Sequence, residues 1–285
     1  MRIVPASPAV GSVVLDVDLR KPQTDATWTA IRDAFDHTYL LVFPGQDLSD
    51  NEHVAAVSHL GPIALEGGDA PRPVNYVSNV RPDGMVGPGE VSFHIDFGFF
   101  PQPYEALTLY GLQIPSGGSE TWYVSAARAA ETLSEDLRQR VHDLQARQVL
   151  DLERSTGQAM IQYLVGRCDD ERVPHQIRPV LWPHRKTGIP ILGVWQQQTD
   201  AILPLSPEVS AELIGLLFEH LYQEQHTFVH HWSPGDLVIW DNHAVQHGRP
   251  DVGQEVERTL RRVAVGEKQD VSAFASYSHG SSRAS

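Results

Sequence analysis

The chain has 285 residues, 41% of them hydrophobic and 20% charged, enough apolar material for one large globular domain or two ordinary ones. Its formal net charge of -14, from 36 acidic against 22 basic residues, weighs against nucleic acid or an anionic membrane surface as a partner, while leaving room for a local basic pocket. The single cysteine, Cys168, excludes an intrachain disulfide and any multi-thiolate zinc or iron–sulfur centre.

No apolar run is long enough to suggest a membrane span, and the first residues lack a signal-peptide core. The expectation is a reduced, cytoplasmic protein. Residues 10–19 are rich in β-branched side chains and predict a strand. Thr24 or Asp25 caps a helix reaching about Thr38, with Trp28, Ile31, Ala34 and Phe35 along one face. Residues 39–43 form a short apolar run closed by Pro44-Gly45, which predicts a buried strand. Ser49 and Glu52 have capping-box spacing ahead of a helix carrying Val54, Val57 and Leu60 and stopped by Gly61-Pro62. Residues 67–89 are rich in glycine, proline and polar residues around a short strand at 74–77. A long irregular segment of this kind is more often a functional lid than a linker, with disorder as the alternative.

Residues 91–100, Val-Ser-Phe-His-Ile-Asp-Phe-Gly-Phe-Phe, place His94 and Asp96 two apart in an aromatic run. On an extended strand both side chains would share a face, with Phe93, Ile95 and Phe97 opposite. Taken alone, the pair fits an ordinary strand end facing water as well as it fits a metal site. Strands follow at 106–112 and after the turn at 114–123. Residues 125–141 are helical, with Ser134 dividing two helices, and 150–178 carry no clear period. Residues 178–182 and 190–195 read as strands flanking a turn at 186–188. Ser206 and Pro207 start a helix whose buried stripe is Val209, Leu213, Leu216, Leu217 and Leu221. Strands at 228–232 and 237–240 enclose a turn, 258–265 is the last strand, and a tail from 271 is expected to be disordered. Many short strands with helices around them suggest a sandwich or barrel with helical decoration, one domain over residues 1–270.

Trp240-Asp241-Asn242-His243-Ala244-Val245-Gln246-His247 runs from a strand into a polar loop ending at His247. Two histidines and one carboxylate on one face of a metal, with open positions left over, suit non-haem Fe(II) and O₂ chemistry. His94, Asp96 and His247 could supply that set. A zinc hydrolase could use the same triad, and a binding protein without chemistry on the same scaffold is a further alternative.

Five ordered stretches resemble the taurine dioxygenase / phenoxyacetate dioxygenase family of Fe(II)- and 2-oxoglutarate-dependent oxygenases. Phe93-His94-Ile95-Asp96 stands where that family usually has Trp-His-Thr-Asp. Residues 114–122 resemble its Pro-Ser-x-Gly-Gly-x-Thr turn, with Ser119 for the second glycine, and His184-Arg185-Lys186-Thr187-Gly188 its His-Pro-x-Thr-Gly turn. Trp240-Asp241-Asn242 with Gln246-His247, and Arg258-Thr259-Leu260-Arg261-Arg262, complete the series. The resemblance implies a mainly β fold with peripheral helices around a double-stranded β-helix, the jelly-roll or cupin-like core. It implies His94, Asp96 and His247 as metal ligands for Fe(II), with Arg258 and Thr121 binding 2-oxoglutarate and O₂ as the oxidant. The retained Asp96 favours hydroxylation over halogenation.

Strand parity puts Arg262 beside Arg258, as a candidate contact for a substrate anion, and turns Arg261 outward as a solvated charge. Phe97, Phe99, Phe100 and Trp122 would form an apolar lining. His243 is expected to pack in its loop, His184 to serve its turn, and His226, His230 and His231 to pack or face solvent. The family's sulfonate oxygenases carry a histidine in the loop after the second helix and an asparagine four residues before the first ligand. Here those places hold residues 62–66, ending in Glu66, and Glu90. This disfavours taurine and points to another small carboxylate- or amine-bearing substrate, with Arg262, Glu90 and Phe97 as contacts. A homo-oligomer, without nucleic acid or membrane partners, is expected.

Overall fold

The computed structural model describes residues 1–67, 70–150, 174–253 and 255–267. The expected tail from 271 and most of the aperiodic stretch 150–178 lie outside the described residues.

An eight-stranded sheet runs in the order Arg2–Pro5, Ser12–Leu15, Leu40–Phe43, Leu237–Asp241, Ala106–Gln113, Thr259–Val265, Asn75–Ser78, Gly84–Met85. A second, four-stranded sheet has the order Thr227–His231, Glu120–Ser125, Val245–Arg249, Val91–His94. Strand alternation sorts the side chains of the large sheet into two layers. Leu107, Leu109, Val238, Trp240, Leu260 and Ala264 meet Tyr123, Trp232 and Val245 of the small sheet in one core. Their odd-man neighbours Ala106, Tyr110, Leu237, Ile239, Val263 and Val265 face the other way, against Trp28, Ile31, Phe35 and Val57 of two helices. A third cluster packs Val124 on the outside of the small sheet against Ala129, Leu213, Leu217 and Leu221. The result is the jelly-roll core with peripheral helices.

The helices start where the sequence places them. Thr24 caps Asp25–Thr38, and Ser49 and Glu52 close a complete capping box on Asp50–Val57; each such cap is worth about 1 kcal/mol. Ser125 and Ser134 cap Ala126–Glu131 and Glu135–Val141. In the helix Pro207–Leu221 the buried stripe is shifted: Ile214 and Phe218 are inside, while Val209 is exposed. The strand Arg2–Pro5, unmarked in the sequence because its residues are mostly exposed, adds an antiparallel edge on Ser12–Leu15.

Candidate active site

The register of the small sheet makes the site. Val245–Arg249 pairs antiparallel with Val91–His94 so that His247 stands opposite His94, a spacing that brings cross-strand side chains into contact. The two rings lie 4.2 Å apart, centroid to centroid. His247 thus sits within a strand, where the sequence suggested the end of a polar loop. Nε2 of His94 is 3.1 Å and Nε2 of His247 3.8 Å from Oδ1 of Asp96. The three residues offer ligand atoms that all lie within 4.8 Å of one another.

Asp96 arrives differently from the expectation. The strand ends at His94, and Asp96 opens the turn that follows, so strand alternation does not place it. Asn242 does. Its Oδ1 accepts the Asp96 backbone N–H at 2.9 Å, and its Nδ2 donates to the carbonyls of Asp96 at 2.9 Å and Tyr104 at 3.1 Å. Asn242 is fully buried, so these bonds carry the whole polar demand of its amide. Phe97 takes φ 58 in the same turn, an uncommon conformation for a bulky residue that persists only when surrounding contacts hold it. At Gly98 a Cβ would collide with the Trp195 ring, which accounts for glycine where the resembled family usually has threonine.

The chemistry of the donor set fits a cation. Nδ1 of His94 lies 2.9 Å from the Ser92 carbonyl; a carbonyl only accepts, so Nδ1 carries the proton. Nε2 therefore faces the Asp96 carboxylate oxygen, a contact that is favourable only when a proton on the ring or a metal cation lies between the two. Burial, followed by the neighbouring His94, holds His247 well below the usual histidine pKa. Burial pushes the Asp96 carboxyl upward, but Arg262 and the two histidines outweigh it and keep it ionised. Two imidazoles and one carboxylate are the ligand set that suits a non-haem Fe(II) ion.

The Arg258 side chain is brought to the same region. It is 3% exposed, with Nε donating to Ser119 Oγ at 2.6 Å and Nη2 to Thr121 Oγ1 at 3.4 Å. Thr121 Oγ1 also accepts from Trp232 Nε1 at 2.9 Å. Burial, then the nearby Arg249, lowers the Arg258 pKa to about 9, leaving it charged at neutral pH. Among the described residues it pairs with no carboxylate, although a buried cation without a counter-ion is costly. Ser119, which looked like a departure from the glycine pattern, is its closest partner. Arg249, two residues beyond His247, is also buried and donates to the carbonyls of Gly87 and Pro88. It ties the segment before the first ligand to the strand of the last one.

Arg262 and Arg261 separate by parity as expected, but neither is free. Arg262 points between the sheets, where Nε and Nη2 grip Glu66 at 3.0 and 3.1 Å and Nη2 reaches Asp96 Oδ2 at 2.7 Å. Arg261 points to the helix side and is buried, not solvated: it donates to His53 Nδ1 at 3.1 Å, Asp50 Oδ1 at 2.6 Å and the Leu48 carbonyl at 2.7 Å. The helix Asp50–Val57 packed on that face removes it from water. Phe97, Phe100 and Tyr104 make an aromatic cluster beside Asp96, with the Phe97 ring 5.5 Å from Phe100 and 4.9 Å from Tyr104. Trp122 does not join this lining. Its neighbours Thr121 and Tyr123 point inward, so it faces outward beside Phe93, at 6.1 Å. Glu90 is half-buried just before the first ligand strand and makes no ion pair with the triad among the described residues.

A second His/Asp/His group, His184, Asp241 and His243, also has clustered donor atoms. Two of its members, Asp241 and His184, are committed otherwise, while the ring nitrogens of His243 have no hydrogen-bond partner among the described residues. Asp241 Oδ1 accepts the backbone N–H groups of His243 and Ala244, Oδ2 meets His184 Nε2 at 3.0 Å, and His184 Nδ1 meets Thr187 Oγ1 at 2.9 Å. These bonds hold two turns together, the structural role expected of His184. His243 packs against Trp182 as expected, and burial lowers its pKa to about 4.

Known proteins resemble the chain over most of its length. The chain is 30% identical over 262 residues to an (S)-phenoxypropionate/alpha-ketoglutarate-dioxygenase of Sphingobium herbicidovorans, covering 86% of this chain and 88% of that one. It is 28% identical over 283 residues to pentalenolactone F synthase of Streptomyces arenae, covering 91% and 93%. The crystal structure of a taurine dioxygenase from Burkholderia xenovorans superposes with a TM-score of 0.77 at 25% identity, over 93% of this chain and 90% of the other. The model of the taurine catabolism dioxygenase TauD, TfdA family matches residues 2–264. The chain belongs to that family and is an alpha-ketoglutarate-dependent dioxygenase, using Fe(II), 2-oxoglutarate and O₂ on a small-molecule substrate.

Proposed function

We propose that His94, Asp96 and His247 hold the Fe(II) and that Arg258 with Thr121 receives the distal carboxylate of 2-oxoglutarate, so that the enzyme hydroxylates an unactivated C–H bond of a small organic molecule. The observation that carries this reading is the convergence of His94 Nε2, His247 Nε2 and the Asp96 carboxylate, with the buried Arg258 guanidinium, which pairs with no carboxylate among the described residues. Bound Fe(II) supplies the coupling of 2-oxoglutarate decarboxylation, to succinate and CO₂, with oxidation of the substrate.

The chain's own residues bind, orient and exclude. Arg258 offers a fork of donors matched to a carboxylate, steadied by Ser119 and Thr121. Asn242 fixes the backbone that presents Asp96, and the Ser92 carbonyl fixes the tautomer of His94. Phe97, Phe100 and Tyr104 keep an apolar wall beside the metal position, which limits water near a strong oxidant. Zinc hydrolysis would leave Arg258 without an anion to bind. A non-catalytic binding role would call for a lost ligand, and all three are present.

We further take residues 1–270 as one oxygenase unit, supported by a family match that runs over most of that length. We likewise propose a cytoplasmic setting without nucleic-acid or membrane partners; the acidic balance weighs against polyanionic partners. A homo-oligomer follows from the family resemblance alone. The test of function is stoichiometric: Fe(II)-loaded enzyme should form succinate from 2-oxoglutarate only in the presence of O₂, faster when a substrate is added. Succinate formation that does not depend on Fe(II) would overturn the reading.

A further inference from the structure

Resting on the oxygenase reading above, we infer that the substrate end meeting Arg262 is uncharged, and that Glu66 is the residue that sets this specificity. The juxtaposition behind it joins residues 196 positions apart. Arg262 is 5% exposed, and its guanidinium lies bidentate on the Glu66 carboxylate at 3.0 and 3.1 Å. Glu66 is no surface group that swings across. Its side chain is 11% exposed, its backbone pairs in both directions with Arg72 at 3.0 and 2.9 Å, and Asn75 Nδ2 reaches its Oε2 at 3.5 Å.

Charge accounting gives the consequence. The Fe(II) dication, the Asp96 carboxylate, the dianion of 2-oxoglutarate and the Arg258 guanidinium sum to zero. Two guanidiniums remain: Arg249 is turned onto the Gly87 and Pro88 carbonyls, and Arg262, the one that reaches Asp96, is cancelled by Glu66. A carboxylate or sulfonate substrate could be gripped by Arg262 only by displacing Glu66, which would leave a buried carboxylate without its cation. An ammonium group would need a free carboxylate, and both Asp96 and Glu66 are engaged. The ion pair still offers hydrogen-bond edges, so an amide, ester or alcohol suits it. The aromatic cluster of Phe97, Phe100 and Tyr104 suits an apolar body. This replaces the carboxylate- or amine-bearing substrate suggested by the sequence, where Arg262 and Glu66 could be seen but not their pairing.

The test uses one body with two ends: phenoxypropionate and phenoxypropionamide, with dissociation constants measured by calorimetry on the full-length enzyme carrying Fe(II) and 2-oxoglutarate under anaerobic conditions. Wild type should bind the amide more tightly than the acid. Glu66→Gln should raise the acid-to-amide affinity ratio by about tenfold or more, because it uncovers the Arg262 charge. Glu66→Asp keeps the charge and should keep the wild-type ratio, which separates charge from packing. The inference is overturned if wild type prefers the acid. It is also overturned if Glu66→Gln moves the ratio by less than tenfold, including the case in which neither probe binds either protein. Loss of the 2-oxoglutarate complex itself in wild type would instead count against the oxygenase reading.

Discussion

Asn242 holds Asp96 by a two-way pair of hydrogen bonds, each 2.9 Å long, between one side-chain amide and one residue's backbone. Asp96 has left its strand by that point, so this amide fixes the backbone that presents the carboxylate, whose Oδ2 is held by Arg262. Partners of this kind, one step removed from a metal, typically contribute 10- to 100-fold in affinity. Asn242→Ala should weaken Fe(II) or Mn(II) binding by about that factor, read by anaerobic metal titration, while leaving the circular dichroism of the fold unchanged. Unaltered metal affinity would show that the turn holds Asp96 without Asn242.

Arg258 is a buried cation that pairs with no carboxylate among the described residues and donates to Ser119 and Thr121. Arg258→Gln should raise the KM for 2-oxoglutarate by about 30-fold or more, since truncating one side of a buried charged contact costs about 2–5 kcal/mol. Thr121→Val, which removes a hydroxyl but no charge, should raise it by about tenfold or less. Steady-state succinate formation at varied 2-oxoglutarate checks both.

Stability should fall in mild acid, in part through His243. Burial lowers its folded pKa to about 4, against about 6.5 in the unfolded chain. The unfolded state therefore takes up the proton first, and stability is lost as pH falls from about 6.5 towards 4. Between about pH 7 and pH 5 this one group accounts for about 2 kcal/mol. His243→Leu should flatten the pH dependence of urea unfolding by that order.

Arg261 is a structural residue. Arg261→Met leaves the His53 ring nitrogen and the Leu48 carbonyl without their donor. Asp50 is half exposed and can turn to water, so the expected loss is about 3 kcal/mol. Chemical denaturation reads this loss, and kcat of the folded fraction should hold because the side chain points away from the metal position.

What the sequence revealed follows from what periodicity encodes. Capped helices, the strands that carry Thr121 and Arg262, and the inward and outward parity of Arg262 and Arg261 are local properties, and they were legible. Partners were not. Parity turns Arg261 away from the site without saying that the helix Asp50–Val57 lies over it, and turns Arg262 inward without showing Glu66 opposite. The placement of Asp96 misled for a related reason: a two-residue spacing implies a shared face only while the strand continues, and this one ends at His94. His247 looked like part of a loop because Gln246, His247, Gly248 and Arg249 carry no apolar alternation, although their backbone pairs on both sides. Asn242 had one visible signal, a second polar residue directly after Trp240-Asp241 at the end of a buried strand.

The most direct test of the central assignment is spectroscopic. Anaerobic enzyme given Fe(II) and 2-oxoglutarate should develop a weak visible charge-transfer band, and Asp96→Ala should abolish it. No band in the wild-type protein, or a band that survives Asp96→Ala at full intensity, would contradict the placement of Fe(II) on His94, Asp96 and His247.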